Sequence, residues 1–329
     1  MAKKILIIGH SNIGDVCYDL AVVNPLLKEF PQACITFLTS PRCEAIASHY
    51  SGIDKVIVMD RRKTDQSPLG RLPFIRSLRK EGFDLAVVLI NTLMYLFLGI
   101  PKVLTVNKLF GKKLPKDVHI VESYRTFLNS YGIDFKKAIF DFNFENEHAA
   151  FRDQFLEQSG ISSNDKVVGI LPLAAWSLKN WPVAYWNRLS TLLEKEKGFK
   201  VIAFGKSAPD EFNEYVLKKL SKDIVSAIDK TNLAQALALI KRCDYFIGPD
   251  SGLLHLASCM NVETIGLYGA TSRNFIYPYF HRDNIIGSRA KIPCIPCYPG
   301  NIPCERRGKS FCGQCMEEIS VEEVLSAVN

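Results

Sequence analysis

At 329 residues the chain is longer than one compact core usually organises, and its 47% hydrophobic and 23% charged residues are the balance of a globular protein, which excludes disorder. A net charge of +7 with no long Lys/Arg block argues against a nucleic-acid arm, so no nucleic-acid partner is expected. The start Met1-Ala2-Lys3-Lys4 lacks a signal-peptide pattern, and the longest apolar stretch, 85–104, is broken by Asn91, Thr92, Gly99, Pro101 and Lys102, so the expectation is a cytoplasmic protein without a membrane span.

From the amino end, strand-like and helix-like segments alternate. Residues 4–9 read as an apolar strand, 15–30 as a helix, 34–39 as a strand, 41–48 as a helix, 55–59 as a strand, 69–81 as a helix, 84–90 as a strand and 118–131 as a helix. This is the rhythm of a parallel sheet with crossover helices. A short extended segment at 140–144 and a polar helix at 145–159 lead to a loop at 160–166, where the join between domains 1–160 and 161–329 is expected. The second half repeats the rhythm with strands at 167–172, 199–204, 245–248 and 264–268 and helices at 183–195, 209–219, 232–241 and 251–260. An amphipathic helix at 320–328, capped by Ser320, closes the chain. The expected fold is therefore α/β: two doubly wound Rossmann-like domains facing a cleft, the arrangement called GT-B.

Three loops follow strands of this pattern, at the carboxyl ends where open parallel sheets bind ligands. The first, Gly9-His10-Ser11-Asn12-Ile13-Gly14-Asp15, lacks the GxGxxG spacing of a dinucleotide site but sets a carboxylate on the first helical turn. Asp15 there either stabilises the helix amino end or takes a proton from an acceptor hydroxyl. The second, running from Leu171 to Pro182, offers Lys179 to a diphosphate, with a surface lysine as the alternative. In the third, Gly248-Pro249-Asp250-Ser251-Gly252-Leu253-Leu254-His255, the N–H groups of Ser251, Gly252 and Leu253 open a helix whose dipole favours a phosphate. Asp250 is expected to cap that helix, its carboxylate turned to the N–H groups or to a nearby cation, and His255 reads as a packed helix histidine.

Five of the ten cysteines, Cys17, Cys34, Cys43, Cys243 and Cys259, are scattered and read as small core residues; the others crowd between 294 and 315. Cys294 and Cys297 form one CxxC pair and Cys312 and Cys315 another, 14 residues apart, with Cys304 as an alternative ligand. That spacing suits a tetrahedral structural zinc, with iron behind it, in a segment too rich in proline to form regular structure.

Taken together, GDVxxxLxxxxxxLKxxP, PxAxWxxKxWP, GPDSGLLHLA, the run LYGATS and the closing CMEEISVEEV resemble the family-nine glycosyltransferases, the heptosyltransferases of lipopolysaccharide core assembly. The resemblance implies a GT-B fold, ADP-heptose as donor, a lipopolysaccharide core or related glycan as acceptor, and inverting chemistry that requires no cofactor. It also implies Asp15 as catalytic base, Lys179 as phosphate-binding and catalytic cation, Asp250, Ser251, Gly252 and Leu253 as the diphosphate-holding helix start with His255 beside them, and Glu211 on the nucleoside ribose. Two departures stand out. Ala174 and Ala175 replace paired hydroxyl residues, leaving Ser177 as the nearest substitute, and Val103-Leu104-Thr105-Val106-Asn107-Lys108 replaces an arginine-glycine sequence, which puts the acceptor in question. The basic residues Lys102, Lys108, Lys112, Lys113 and Lys116 read either as a solvated face or as a peripheral contact with the inner membrane surface. Two other functions stay open: a GT-B transferase with another nucleotide sugar and a protein or small-glycan acceptor, and a silent nucleotide-binding assembly module, against which Asp15 argues.

Overall fold

Strand β1 (Lys4–Ile8) is apolar and buried at positions 5–8, as a strand covered on both faces requires. The computed structural model describes residues 3–60, 70–106, 109, 111, 114–115, 118–288, 295, 297 and 313–329, with the backbone alone at 145 and 146. The chain divides into two compact units, Met1–Asn143 and Phe144–Asn329.

In the first unit β1 leads into α1 (Ile13–Asp19), a 3₁₀ turn at Leu20–Val22 and α2 (Val23–Glu29), where the sequence suggests one helix. Pro25 has no N–H to offer the carbonyl four residues back, and the chain tightens just before it. There follow β2 (Cys34–Thr39), α3 (Glu44–Ser48), β3 (Lys55–Val58), α4 (Leu72–Lys80), β4 (Leu85–Val88), β5 (Lys102–Thr105) and α5 (Ile120–Asn129). The strands are parallel in the order β3-β2-β1-β4-β5. The order reverses between β1 and β4, so the loop after β1 lies at a topological switch point. Lys108, Lys112, Lys113 and Lys116 lie outside the described residues.

The second unit opens with α6 (Phe144–Gln158), followed by β6 (Lys166–Ile170), α7 (Val183–Lys197), β7 (Phe199–Ala203), α8 (Glu211–Lys219), β8 (Val225–Ser226), α9 (Leu233–Arg242), β9 (Tyr245–Pro249), α10 (Gly252–Cys259), β10 (Glu263–Tyr268), β11 (Ile285–Gly287), α11 (Gln314–Glu317) and α12 (Val321–Ser326). Helix α6 packs on α9, so the units part at 143, ahead of α6, where the sequence reading sets the join at 160. The largely polar sequence of α6 shows no apolar stripe from which its partner could be read.

The second sheet is also parallel, ordered β11-β10-β9-β6-β7-β8, and its switch point falls between β6 and β9. Gly169 sits in β6 because a Cβ there would lie 2.7 Å from the Phe246 ring on β9. Trp181 and Trp186 are fully buried and meet edge to face at 4.8 Å. Ser320 and Glu323 form a capping box at the start of α12, which packs on α7. Among the described residues no helix is long and apolar enough to cross a membrane.

Candidate active site

In the second unit the loops after β6 and β9, neighbours in the sheet, converge on one carboxylate. Residues Ser177–Lys179 form a 3₁₀ turn. Behind it the fully buried Asn180 accepts from the Ala174 N–H and donates to the Ala174 carbonyl, which closes the loop on itself. Trp181 Nε1 donates to the Ile319 carbonyl at 3.0 Å and ties the same loop to the residues before α12. So held, Lys179 Nζ donates to Asp250 Oδ2 at 2.8 Å and to the Asp250 carbonyl at 3.3 Å.

Asp250 is 6% exposed, and its other carboxylate oxygen meets His255 Nε2 at 2.9 Å. Burial raises the cost of ionising Asp250, but His255 and Lys179 outweigh it and hold the carboxyl well below the usual carboxylate range. The Tyr268 phenol is pushed up by burial and by the Asp250 charge. The helix cap therefore belongs to Ser251, whose Oγ accepts from the Leu254 N–H at 3.3 Å, and of the two directions the sequence allows Asp250 the carboxylate takes the cation. The reason is register: α10 starts at Gly252, so Ser251 occupies the N-cap position. The N–H groups of Gly252 and Leu253 point out of the amino end of α10, where no carbonyl precedes them. His255 is packed in its helix and also serves Asp250.

Glu211 is the first residue of α8 and exposed, at the carboxyl side of β7, which neighbours β6. Its neighbour Asp210 caps that helix by accepting from the Asn213 N–H at 2.9 Å. The sequence-predicted residues of the second and third loops thus meet at Asp250, with Ser177 in the Lys179 turn and Glu211 at the start of the helix that follows the adjacent strand.

In the first unit Asp15 stands exposed on the first turn of α1, at the switch point, and accepts from Asn12 Nδ2 at 3.1 Å. A cavity of about 250 Å³ lies against this loop, lined by Ser11, Asn12, Ser40, Pro41, Arg42, Met59 and Asp60. Sequence reasoning missed Asp19, whose side chain is wholly buried. Asp19 accepts from the His10 N–H at 2.6 Å, from His10 Nδ1 at 2.9 Å and from the Tyr124 hydroxyl at 2.7 Å. Gly9 is required beside it, since a Cβ would come within 2.8 Å of Asp19 Oδ2 and 2.6 Å of the Phe37 ring. The available signal was a second aspartate four residues after Asp15, on the same face of an otherwise apolar helix.

Of the clustered cysteines, Cys294, Cys304 and Cys312 lie outside the described residues. The Cys297 N–H donates to the Ala270 carbonyl at 2.8 Å, and Cys315 is buried with Sγ 2.8 Å from where a Cβ on Gly269 would stand. One cysteine from each CxxC pair thereby reaches consecutive residues after β10.

The family description "Glycosyltransferase family 9 (heptosyltransferase)" matches residues 71–301. The chain is similar to lipopolysaccharide heptosyltransferase 2 of Escherichia coli strain K12, 26% identical over 313 residues that span 86% of this chain and 87% of that one. Its fold is similar to the family 9 glycosyl transferase of Veillonella parvula DSM 2008, with a TM-score of 0.83, 21% identity and coverage of 99% and 96% of the two chains. It is also similar to the E. coli ADP-heptose lps heptosyltransferase II, with a TM-score of 0.76, 24% identity and coverage of 99% and 97%. Two parallel-sheet units with polar loops at their switch points, matched over most of the length, make this chain a GT-B enzyme that belongs to glycosyltransferase family 9.

Proposed function

We propose that the enzyme transfers a heptosyl group from ADP-heptose to a hydroxyl of a lipopolysaccharide core or related glycan, inverting the anomeric carbon, with no metal in the chemistry. The observation that carries this reading is the meeting of Lys179 with Asp250 at the amino end of α10. A donor diphosphate seated there meets the Lys179 ammonium, the N–H groups of Gly252 and Leu253, and the hydroxyls of Ser251 and Ser177. Glu211 takes the ribose hydroxyls, and His255 holds Asp250 in place. As the acceptor oxygen bonds to the anomeric carbon, the bond from that carbon to the diphosphate breaks and its electron pair leaves with ADP. Asp15 takes the acceptor proton. The negative charge on the leaving group grows along this path, so Lys179 and the helix start stabilise the transition state more than the bound donor.

The acceptor takes the cavity beside Asp15, where Arg42 suits a phosphate or carboxylate on the glycan. A glycolipid acceptor fits peripheral contact with the inner membrane from the cytoplasmic side. Leu93, Leu96 and Phe97 are exposed shortly before Lys102 in the chain, an apolar and basic combination suited to a lipid surface. Four of the five clustered cysteines hold a structural zinc, a role supported by the approach of Cys297 and Cys315 to positions 269–270.

The test is incubation of purified protein with ADP-heptose and a heptose-free core acceptor, read by mass spectrometry. The expected products are ADP and an acceptor heavier by one heptosyl residue. Turnover of other nucleotide sugars in preference to ADP-heptose would overturn the donor assignment.

A further inference from the structure

The turn after β8 holds an aspartate at a position whose backbone favours glycine. The Lys230 N–H donates to the Ala227 carbonyl at 3.2 Å, which closes a β-turn whose third residue, Asp229, has a φ of +59°. Among the described residues the other non-glycine with positive φ is Asn261, just past the end of α10, where such a residue ordinarily closes a helix. Asp229 follows a strand and has no helix to close. Its carboxylate reaches across to the loop after β7. Oδ1 accepts from the Ser207 N–H at 3.1 Å, Oδ2 accepts from the Ser207 hydroxyl, and Lys206 Nζ lies 3.0 Å from Oδ1. The Ser207 hydroxyl, ahead of the Lys206 charge, holds the carboxyl below the usual carboxylate range, so Asp229 is ionised at neutral pH.

The loop so anchored is short and stiff. Gly205 sits against the loop that carries Lys179, since a Cβ there would lie 3.2 Å from Leu173 Cβ, and its carbonyl accepts from the Asp229 N–H at 3.3 Å. Between Ser207 and Glu211 stand Ala208, Pro209 and Asp210. Pro209 fixes its own φ, the Asp210 N–H donates to the Ala208 carbonyl at 2.9 Å, and Asp210 caps α8 through Asn213. Where Ser207 is held, Glu211 is held too. We infer that Asp229 is a positioning residue for the donor nucleoside, setting the place of Glu211 through its bonds to Ser207. This rests on the reading of Glu211 as the ribose ligand. A glycine would adopt the same turn without strain, so what the aspartate adds is the carboxylate and the bonds it makes. The nucleoside lies at the far end of the diphosphate from the bond that breaks. Contacts to it are equal in the bound donor and the transition state, so their loss raises KM and leaves kcat alone.

The test is the steady-state kinetics of heptosyl transfer from ADP-heptose, with melting temperatures, in wild type, Asp229→Gly, Asp229→Asn, Glu211→Ala and the double variant Asp229→Gly/Glu211→Ala. Glycine keeps the turn and removes the carboxylate; asparagine keeps the turn and one oxygen for the Ser207 N–H. In Asp229→Gly, KM for ADP-heptose is expected to rise about tenfold with kcat unchanged, and Asp229→Asn should recover most of the loss. With Glu211 already removed, the glycine substitution should raise KM by less than about twofold, because the residue that Asp229 places is gone. Wild-type KM in Asp229→Gly would overturn the inference while leaving the transfer function standing. So would a lower kcat and melting temperature at unchanged KM, or the same rise in KM with and without Glu211. A KM unmoved by Glu211→Ala would overturn the ribose assignment, and a wild-type enzyme unable to transfer heptose would overturn the function, each taking this inference with it.

Discussion

Lys179 and Asp250, 71 residues apart in sequence, meet through Nζ and Oδ2 at 2.8 Å, so the cation proposed for the donor diphosphate is also the partner of a buried carboxylate. Lys179→Ala is accordingly expected to act twice. It should weaken ADP binding and turnover, and it should destabilise the second unit by about 3 kcal/mol, because Asp250 loses a counter-charge in a desolvated place. The double variant Lys179→Ala/Asp250→Asn should recover most of the melting temperature and none of the turnover. A single variant with wild-type stability and ADP affinity would show that the pair matters to neither.

The same pair makes stability depend on acid. Since the Asp250 carboxyl is held below its ordinary range in the folded state, its contribution is complete above the unfolded value, about pH 4, and fades as pH falls towards the folded one. Urea midpoints measured downward from pH 6 should drop more steeply in wild type than in Asp250→Asn. Parallel curves would remove Asp250 from the acid response.

For Asp15→Ala the expectation is a loss of transfer by about two to four orders of magnitude with ADP affinity and melting temperature unchanged. The side chain is exposed and its one polar contact shown is with Asn12, so little stability rests on it. Isothermal titration with ADP and a transfer assay separate the two effects. Near-normal turnover would exclude Asp15 as base.

Much of the fold could be read from the sequence because buried parallel strands are runs of apolar residues, as at positions 5–8 and 167–170, followed by polar loops. The edge strands β8 and β11 could not, having only two and three residues and no period to detect, and β5 was not separated from the apolar stretch that precedes it. In the candidate site, Asp15, Lys179 and the start of α10 stand out in the sequence as polar residues in the segments that follow strands. Asn180 and Asp19 do not, since their meaning lies in partners at Ala174 and Tyr124 that only the folded chain brings to them. The role of Asp250 was settled by one residue of register, which moved the cap to Ser251.

The cysteine cluster predicts a metal content. If four of Cys294, Cys297, Cys304, Cys312 and Cys315 hold zinc, purified protein should carry about one zinc per chain. The double variant Cys294→Ser/Cys297→Ser should release it and lower the melting temperature, while ADP binding by the folded fraction persists. Metal-free wild-type protein with all five thiols titratable in the native state would return them to ordinary cysteines.

All three tryptophans of the chain, Trp176, Trp181 and Trp186, fall within eleven consecutive positions of the second unit, and the first unit has none. Intrinsic tryptophan fluorescence of the unmodified enzyme is therefore an optical channel for one half of the molecule. Trp181 and Trp186 are wholly buried and should shift to the red only when their own core opens, whereas Trp176, three residues from Lys179, is part-exposed in the loop proposed to receive the donor. Emission quenched by ADP without a red shift would register occupancy. A red shift in denaturant that precedes or follows the loss of far-ultraviolet ellipticity would show the two halves melting separately, with no label attached.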